Sequence, residues 1–344
     1  MQRKRVRLQD IAKAVGVHSS TVSRALDPKT RHLITDTIAG KVIEAANELG
    51  YRTNSIAYSL RTSRSMTVGV LVPDITNVVF PPILRGIEDT LLARGYVAVI
   101  ANTDTLPERE STLIATLRGR GVDGLILASP EREDAAVLRA VAEGIPVVTV
   151  NRKLDDPSVS SVINDDETGI ALAVAHVAKL GHRTIANIAG PKALSTGMAR
   201  FGAFKRALPR HGLAFDEALV AFARSYNEDE GEAACDRLLD SGVPFTALIC
   251  ANDRLAIGAI ARLHARGLDC PTQVSVTGFN DMALVDRLQP PLTTVRIQQY
   301  ETGVEAAKIL LARMEPGVEG GGPQHKVMPV ELIVRASTAP PPTS

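Results

Sequence analysis

The chain of 344 residues has no tryptophan, only 3% aromatic residues and three cysteines. So few aromatics leave few platforms on which unpaired bases could stack, which argues against a single-strand nucleic-acid binder. Cys235, Cys250 and Cys270 are odd in number and form no C-x-x-C pair. A disulfide framework and a cysteine zinc site both lose support, and a reducing cytoplasm fits. The seven histidines show no H-x-x-x-H or His/Cys spacing, so no metal ligand is assigned. No serine or cysteine sits in a G-x-S-x-G elbow, no acid/base or nucleophile constellation is visible, and an enzyme is not expected. No apolar run approaches the roughly 18 residues needed to cross a bilayer. The basic start Met1–Arg7 runs directly into Leu8-Gln-Asp-Ile-Ala-Lys, which breaks the apolar core of a signal peptide. The expected location is cytoplasmic.

Apolar residues make up 45% of the chain and charged residues 22%, the balance of a packed globular protein rather than a disordered one. The length suits two or three domains. A net charge of +1 conceals an asymmetry: residues 1–65 hold 12 Lys/Arg against 5 Asp/Glu, and the remainder holds 27 against 33. A basic head on an acidic body suggests a head that meets an anionic polymer.

Within the head, Leu8, Ile11, Ala12 and Val15 recur at one helical interval. Gly16 stands at a C-cap position, and Ser19 and Ser20 offer an N-cap for a second helix to about Leu26. A third helix is expected over about 35–49, with Ile38, Val42, Ala45, Ala46 and Leu49 on one face. Two helices joined by a tight turn at Val15-Gly16-Val17 have helix-turn-helix spacing. Ser19, Ser20, Thr21, Ser23 and Arg24 then form the outward face that could reach base edges in a major groove. Asn54–Arg61 could form two further turns, too few to be stable alone. Leu60 there is either an apolar wedge for a minor groove, with Arg61 near phosphates, or a packing contact on the next domain.

From Met66 onward, near-continuous Val/Ile/Leu segments alternate with stretches of 10–16 residues at helical period. That alternation predicts parallel sheets covered on both faces, and its length suggests two doubly wound α/β lobes rather than one sheet. Gly119-Arg-Gly-Val-Asp-Gly124 matches a dinucleotide fingerprint literally, but it lies between a helix and a strand, the wrong context. No cofactor is assigned. Asp165-Asp166-Glu167 reads more simply as acids opening a helix than as a divalent-metal site.

Several runs together resemble the lactose-repressor/galactose-repressor family of bacterial transcription regulators. They are Val6-Arg-Leu-Gln-Asp-Ile-Ala-Lys-Ala-Val-Gly-Val, Thr21-Val-Ser-Arg-Ala-Leu, Asn54-Ser-Ile-Ala-Tyr-Ser-Leu-Arg, Val68-Gly-Val-Leu-Val-Pro-Asp, Ala251-Asn-Asp-Arg-Leu-Ala-Ile-Gly-Ala and Val274-Ser-Val-Thr-Gly-Phe-Asn-Asp. The chain departs from that family at His18 and Arg7, where small hydroxyl residues are common; the first departure moves the expected helix cap to Ser19. The resemblance implies a helix-turn-helix head at residues 1–53, a hinge at 54–65, and a core like periplasmic sugar-binding proteins. One lobe would comprise residues 66–163 and 293–325, the other 164–292 and 326–338, with 339–344 a disordered tail. The three crossings between lobes would fall near Asn164, Leu292 and the glycine loop before Lys326.

It also implies that Asn54, Ala57, Leu60 and Arg61 join the head residues in binding DNA. An effector would lie between the lobes against Phe80, Asn151, Ser195, Thr196, Arg200, Tyr226, Asn252 and Asn280. Phe80 and Tyr226 could cover an apolar ring face while the amides and Arg200 take hydroxyls or a carboxylate, the chemistry of a sugar or sugar-acid site. Asn280 stands where the family often has Asp, which removes a negative charge. Arg152 is either a further anion-binding group or a solvated loop cation. The expected partners are a near-palindromic DNA duplex, the small effector and a second copy of the chain, with no membrane. The rival function, a solute-binding protein of a sugar transporter, would share the core but needs an export signal and no basic head.

Overall fold

The stripe of Leu8, Ile11, Ala12 and Val15 becomes α1 (Leu8–Val15), ended by Gly16 in the left-handed region at φ 76°. There the Gly16 N–H donates to the Ala12 carbonyl, a conformation that only a residue without Cβ adopts freely. The computed structural model describes residues 6–27, 30–51, 64–315 and 322–342, and the chain divides into two compact units, 1–65 and 66–344. In the first unit, α2 (Ser19–Leu26) and α3 (Asp36–Glu48) complete a three-helix head. Ile11, Ala12, Val22, Ala25, Ala39, Val42 and Ala46 form its buried centre.

The cap of α2 corrects the expectation from sequence. His18, not Ser19, is the N-cap: its Nδ1 accepts from the Ser20 N–H at 3.3 Å and lies 2.8 Å from Ser20 Oγ. A neutral imidazole nitrogen has a lone pair that can replace the usual hydroxyl oxygen. Leu49, expected on the inner face of the third helix, is exposed and Ala39 is buried instead. Asn54, Ala57, Leu60 and Arg61 lie outside the described residues.

The second unit begins with β1 (Thr67–Val72), α4 (Phe80–Leu92), β2 (Val97–Asn102), α5 (Pro107–Gly119), β3 (Gly124–Leu127), α6 (Ala135–Ala142), β4 (Val147–Val150) and β5 (Ser160–Asn164). It continues with α7 (Asp166–Lys179), β6 (Ile185–Ala189), α8 (Ser195–Ala207), β7 (Val220–Phe222), α9 (Glu228–Asp240), β8 (Ala247–Cys250), α10 (Asp253–Ala265) and β9 (Ser275–Asn280). It closes with β10 (Thr293–Ile297), α11 (Gln299–Met314), β11 (His325–Met328) and β12 (Val330–Ile333). Two six-stranded sheets result, in the orders 11-5-4-3-1-2 and 12-10-9-8-6-7. All pairs are parallel except β10 with β12. The chain therefore forms two doubly wound α/β lobes.

The chain passes between the sheets after β5, after β10, and between β11 and β12. The last two crossings differ from the expected ones. Residues 293–297, expected in the first lobe, form β10 and pair with β9 in the second, Val295 opposite Phe279. Pro290-Pro291 only closes the loop that leads into β10, so the chain leaves this sheet at Gln298 rather than Leu292. Residues 326–328, expected in the second lobe, belong to β11 and pair with β5, Lys326 opposite Val162. The crossing falls at Pro329, which has no N–H to give to either ladder. Nor is Ala339 part of a frayed tail. Its carbonyl lies 2.8 Å from His182 Nε2 and accepts from Ser275 Oγ at 3.0 Å, and its N–H donates to Ser275 Oγ.

Each lobe contains a helix pair that approaches backbone to backbone. A Cβ on Gly86 of α4 would overlap the Tyr300 carbonyl, and one on Gly303 of α11 would overlap that of Ile83. Gly231 of α9 and Gly258 of α10 meet the carbonyls of Leu255 and Glu228 in the same reciprocal way. We expect Gly303→Ala to force these helices apart at a cost of about 1–3 kcal/mol. Gly119→Ala, whose Cβ meets nothing within 4 Å, should leave stability unchanged or raise it by up to about 1 kcal/mol. Equal thermal melts of the two variants would contradict this packing.

Candidate functional site

Two surfaces carry the residues singled out from sequence. In the head, Ser20 and Arg24 are exposed on α2, and Ser19, Thr21 and Ser23 are partly so, while Val22 and Ala25 turn inward. The His18 cap holds the first turn of this helix, leaving a row of short hydroxyls and one guanidinium outward. Such a row can donate and accept at base edges, and the guanidinium can pair with a guanine.

The second surface lies between the lobes, beyond the carboxyl ends of the strands, where open α/β sheets take ligands. A small cavity of about 30 Å³ is lined by Asn77, Val79, Phe80, Asn151, Arg152, Thr196, Arg200, Tyr226, Asn252 and Asn280. A larger cleft of about 440 Å³, which shares Asn77, Arg152 and Tyr226, lies beside it. Most lining groups sit at a strand end or a helix start, and Arg200 reaches in from within α8. Asn252 caps α10, its Oδ1 accepting from the Leu255 N–H at 2.9 Å, which leaves its amide N–H groups for the cavity. Thr196 Oγ1 and Tyr226 Oη are hydrogen-bonded at 3.0 Å. Asn151 (φ 64°) and Asn280 (φ 115°) both occupy positive φ, backbone strain that persists only where the surroundings hold it. The Asn280 Oδ1 is buried with no partner.

Arg200 is buried and already engaged. Its Nε donates to Asp166 at 2.8 Å, its Nη1 to the Ala251 carbonyl at 2.6 Å, and its guanidinium stacks 3.7 Å from the centre of the Phe279 ring. The three acids read as a helix opening divide the work. Asp165 caps α7 through the Thr168 N–H, Asp166 pairs with Arg200, and Glu167 pairs with Arg206 at the surface. Bonds across the cleft hold the lobes together: Lys153 N–H to Ser195 Oγ at 3.0 Å, Arg132 N–H to the Ala193 carbonyl at 2.9 Å, and Arg254 to Asp74 at 3.3 Å.

Comparison with known proteins places this geometry. Residues 7–54 match the model of bacterial regulatory proteins of the lacI family, and residues 174–338 match a periplasmic binding protein-like domain. The chain is 31% identical over 331 residues to the HTH-type transcriptional repressor CytR of Escherichia coli K12, covering 96% of each. It is 32% identical over 336 residues to the HTH-type transcriptional regulator DegA of Bacillus subtilis, covering 97% of this chain and 98% of that one. A crystal structure of the lac repressor dimer bound to operator and an anti-inducer superposes with TM-score 0.85 at 27% identity, over 98% of this chain and all of that one. The chain belongs to the lacI family of bacterial regulatory proteins.

In this lacI-family chain, seven of the eight residues expected in the cleft line the small cavity: Phe80, Asn151, Thr196, Arg200, Tyr226, Asn252 and Asn280. Ser195 does not, because its hydroxyl is turned to the Lys153 N–H. Asn77, Val79 and Arg152 are additional. Asn77 could be found from its place three residues past Asp74, in the loop between β1 and α4. Arg152 is not a solvated loop cation: it is 5% exposed. Glu110 and Asp253 are buried carboxyls outside this lining. Burial raises Asp253 to about 7, against hydrogen bonds from Thr294 and the Met282 N–H.

Burial also raises Glu110 to about 8, with nearby Asp134 adding and Ser129 and Arg152 opposing. Because the folded value lies above the ordinary one, Glu110 favours the fold fully at low pH. That contribution is lost as pH rises from about 4.5 to 8, where the unfolded chain ionises freely and the folded one does so with difficulty. Glu110→Gln cannot ionise, so its melting temperature should gain on the parent chain across this window and match it most closely at about pH 4.5 and below. A constant difference between the two melting curves at all pH values would contradict the assignment.

Proposed function

We infer that the chain is a cytoplasmic, ligand-responsive repressor, with a head (1–53) that reads half of a near-palindromic operator and a hinge (54–65) that joins it to the core. A small polar metabolite, a sugar or sugar acid, binds between the lobes and sets operator affinity. The observation that carries this reading is the convergence of aromatic, amide and guanidinium groups from both lobes on one small cavity, in a chain whose α2 presents an outward hydroxyl and arginine face. Phe80, Asn151, Thr196, Arg200, Tyr226, Asn252 and Asn280 are proposed to contact the metabolite, and Ser195 to join the lobes. Ser19, Ser20, Thr21, Ser23 and Arg24 are proposed to contact DNA from α2, and Asn54, Ala57, Leu60 and Arg61 from the hinge. A transport role would leave the basic head without a purpose, and no catalytic role is proposed for any residue.

The working unit is proposed to be a homodimer. β2 is a sheet edge whose Val97, Val99 and Ile100 are exposed, next to exposed Ile75 and Leu92. An unpaired apolar edge strand on a single chain is a hazard that a second copy removes. Val99→Glu should therefore shift the chain toward monomer in sedimentation velocity without lowering its melting temperature. An unchanged dimer would place the interface elsewhere.

Gel shifts with fragmented genomic DNA, with and without a metabolite extract, test the reading as a whole. We expect discrete fragments to be retained and the extract to alter their retention. On a retained fragment, Arg24→Ala should cost about 1–3 kcal/mol and relax preference at one base position. Equal losses on operator and random DNA would make Arg24 a phosphate contact.

A further inference from the structure

Arg152 follows β4 and lines both the small cavity and the larger cleft, yet it is 5% exposed. Among the described residues its guanidinium makes one hydrogen bond, from Nη1 to the Ser129 carbonyl at 3.0 Å. Its Nε is buried with no partner, and no carboxylate lies within ion-pair distance of it. The guanidinium cannot shed its proton at ordinary pH, so burial leaves it charged and short of acceptors.

We propose that the effector carries a carboxylate on a polyhydroxylated skeleton and that Arg152 is the residue that selects it. This rests on the cleft being the effector site.

The surroundings leave no other counter-ion. The carboxyls whose charge Arg152 feels are Glu110 and Glu131. Glu110 is held protonated at neutral pH by burial, and Glu131 lines the larger cleft beyond ion-pair distance. Asp166, outside the cavity lining, is bound to Arg200, and of the other acids on the larger cleft Asp74 is bound to Arg254 and Asp104 to Arg109. The small cavity is thus lined by two guanidiniums and no carboxylate, with amides at Asn151 and Asn280. A carboxylate placed on the Nε–Nη2 edge of Arg152 would supply the missing charge in a bidentate geometry. The unpaired Oδ1 of Asn280 and the free amide of Asn252 suit hydroxyl groups, and Phe80 suits the carbon face of the skeleton.

The test compares melting of the full chain and of Arg152→Gln in sodium acetate, sodium phosphate and sodium chloride at one ionic strength. Titrations of D-gluconate, D-galacturonate, D-glucose, D-galactose and D-glucose 6-phosphate follow. Acetate should raise the melting temperature of the parent chain over chloride, and Arg152→Gln should abolish the rise. Any sugar acid that binds should do so at least about tenfold more tightly than its neutral counterpart, a margin that Arg152→Gln removes. The variant should melt no lower than the parent without ligand, because it loses an unbalanced buried charge; Arg152→Met serves as a second check.

No rise in acetate, or the same rise in Arg152→Gln, would overturn the proposal. A rise in phosphate alone would overturn the carboxylate in favour of a phosphate ester. A neutral sugar that binds in the cleft while acids do not would overturn the proposal and leave the effector cleft standing. An acid that binds through Arg152 but never alters operator affinity would leave the oxyanion site and remove the regulatory reading.

Discussion

Three crossings of the chain, at Asn164–Asp165, Gln298 and Pro329, tie two parallel sheets together and determine what the space between them can be. Neither lobe is a continuous segment, so neither can leave the other; they can only tilt about those three strands. Because the strands of each sheet are parallel, their carboxyl ends and the following loops supply the lining on both sides. Asn151, Thr196, Asn252 and Asn280 follow four different strands and meet at one cavity. Glycines let α4 meet α11 and α9 meet α10 backbone to backbone, which packs each lobe tightly.

The polar interior follows from this arrangement. Charges brought together between two lobes lose water and need partners. Arg200 has Asp166, the Ala251 carbonyl and the Phe279 ring, all from the second lobe, so its charge is balanced before any ligand arrives. Arg152 belongs to the first lobe and is incomplete. A ligand that spans the cleft and completes Arg152 stabilises the closed arrangement over an open one, and only such differential affinity can shift a conformational equilibrium. The bonds from Lys153, Arg132 and Arg254 across the cleft set the starting balance on which a ligand acts.

Much of this was legible in the sequence because the signals are local. Near-continuous Val/Ile/Leu runs gave away β1, β3, β4 and β8, and the spacing of Leu8, Ile11, Ala12 and Val15 gave away α1. The elements hardest to read are those whose pattern is weak or whose partner is distant. β11 (His325–Met328) is mostly exposed and pairs with β5, more than 150 residues earlier. β10 follows a proline pair that looks like a boundary, and α11 interleaves exposed Glu301 and Lys308 with buried Gly303, Ala306, Ala307 and Leu310. In the cleft, most ligand-facing groups were identifiable from their motifs, but burial was not: Arg152 beside Asn151 resembles any loop arginine until Ser129 and Tyr226 enclose it. The use of His18 as a helix cap was likewise hidden, since nothing in its neighbours distinguishes a capping imidazole from a solvated one.

The central claim is that occupancy of the cleft and binding of DNA share one free energy. The direct test is a thermodynamic cycle on the full chain, using one retained genomic fragment and the compound that most raises the melting temperature. Operator affinity is measured with and without the compound, and compound affinity with and without operator, in one buffer at fixed salt. The two ratios must be equal and are predicted to lie at about 5–150-fold, the usual range of coupling between sites. A compound that binds the cleft by calorimetry but leaves operator affinity unchanged, a ratio of one on both sides, would contradict the account.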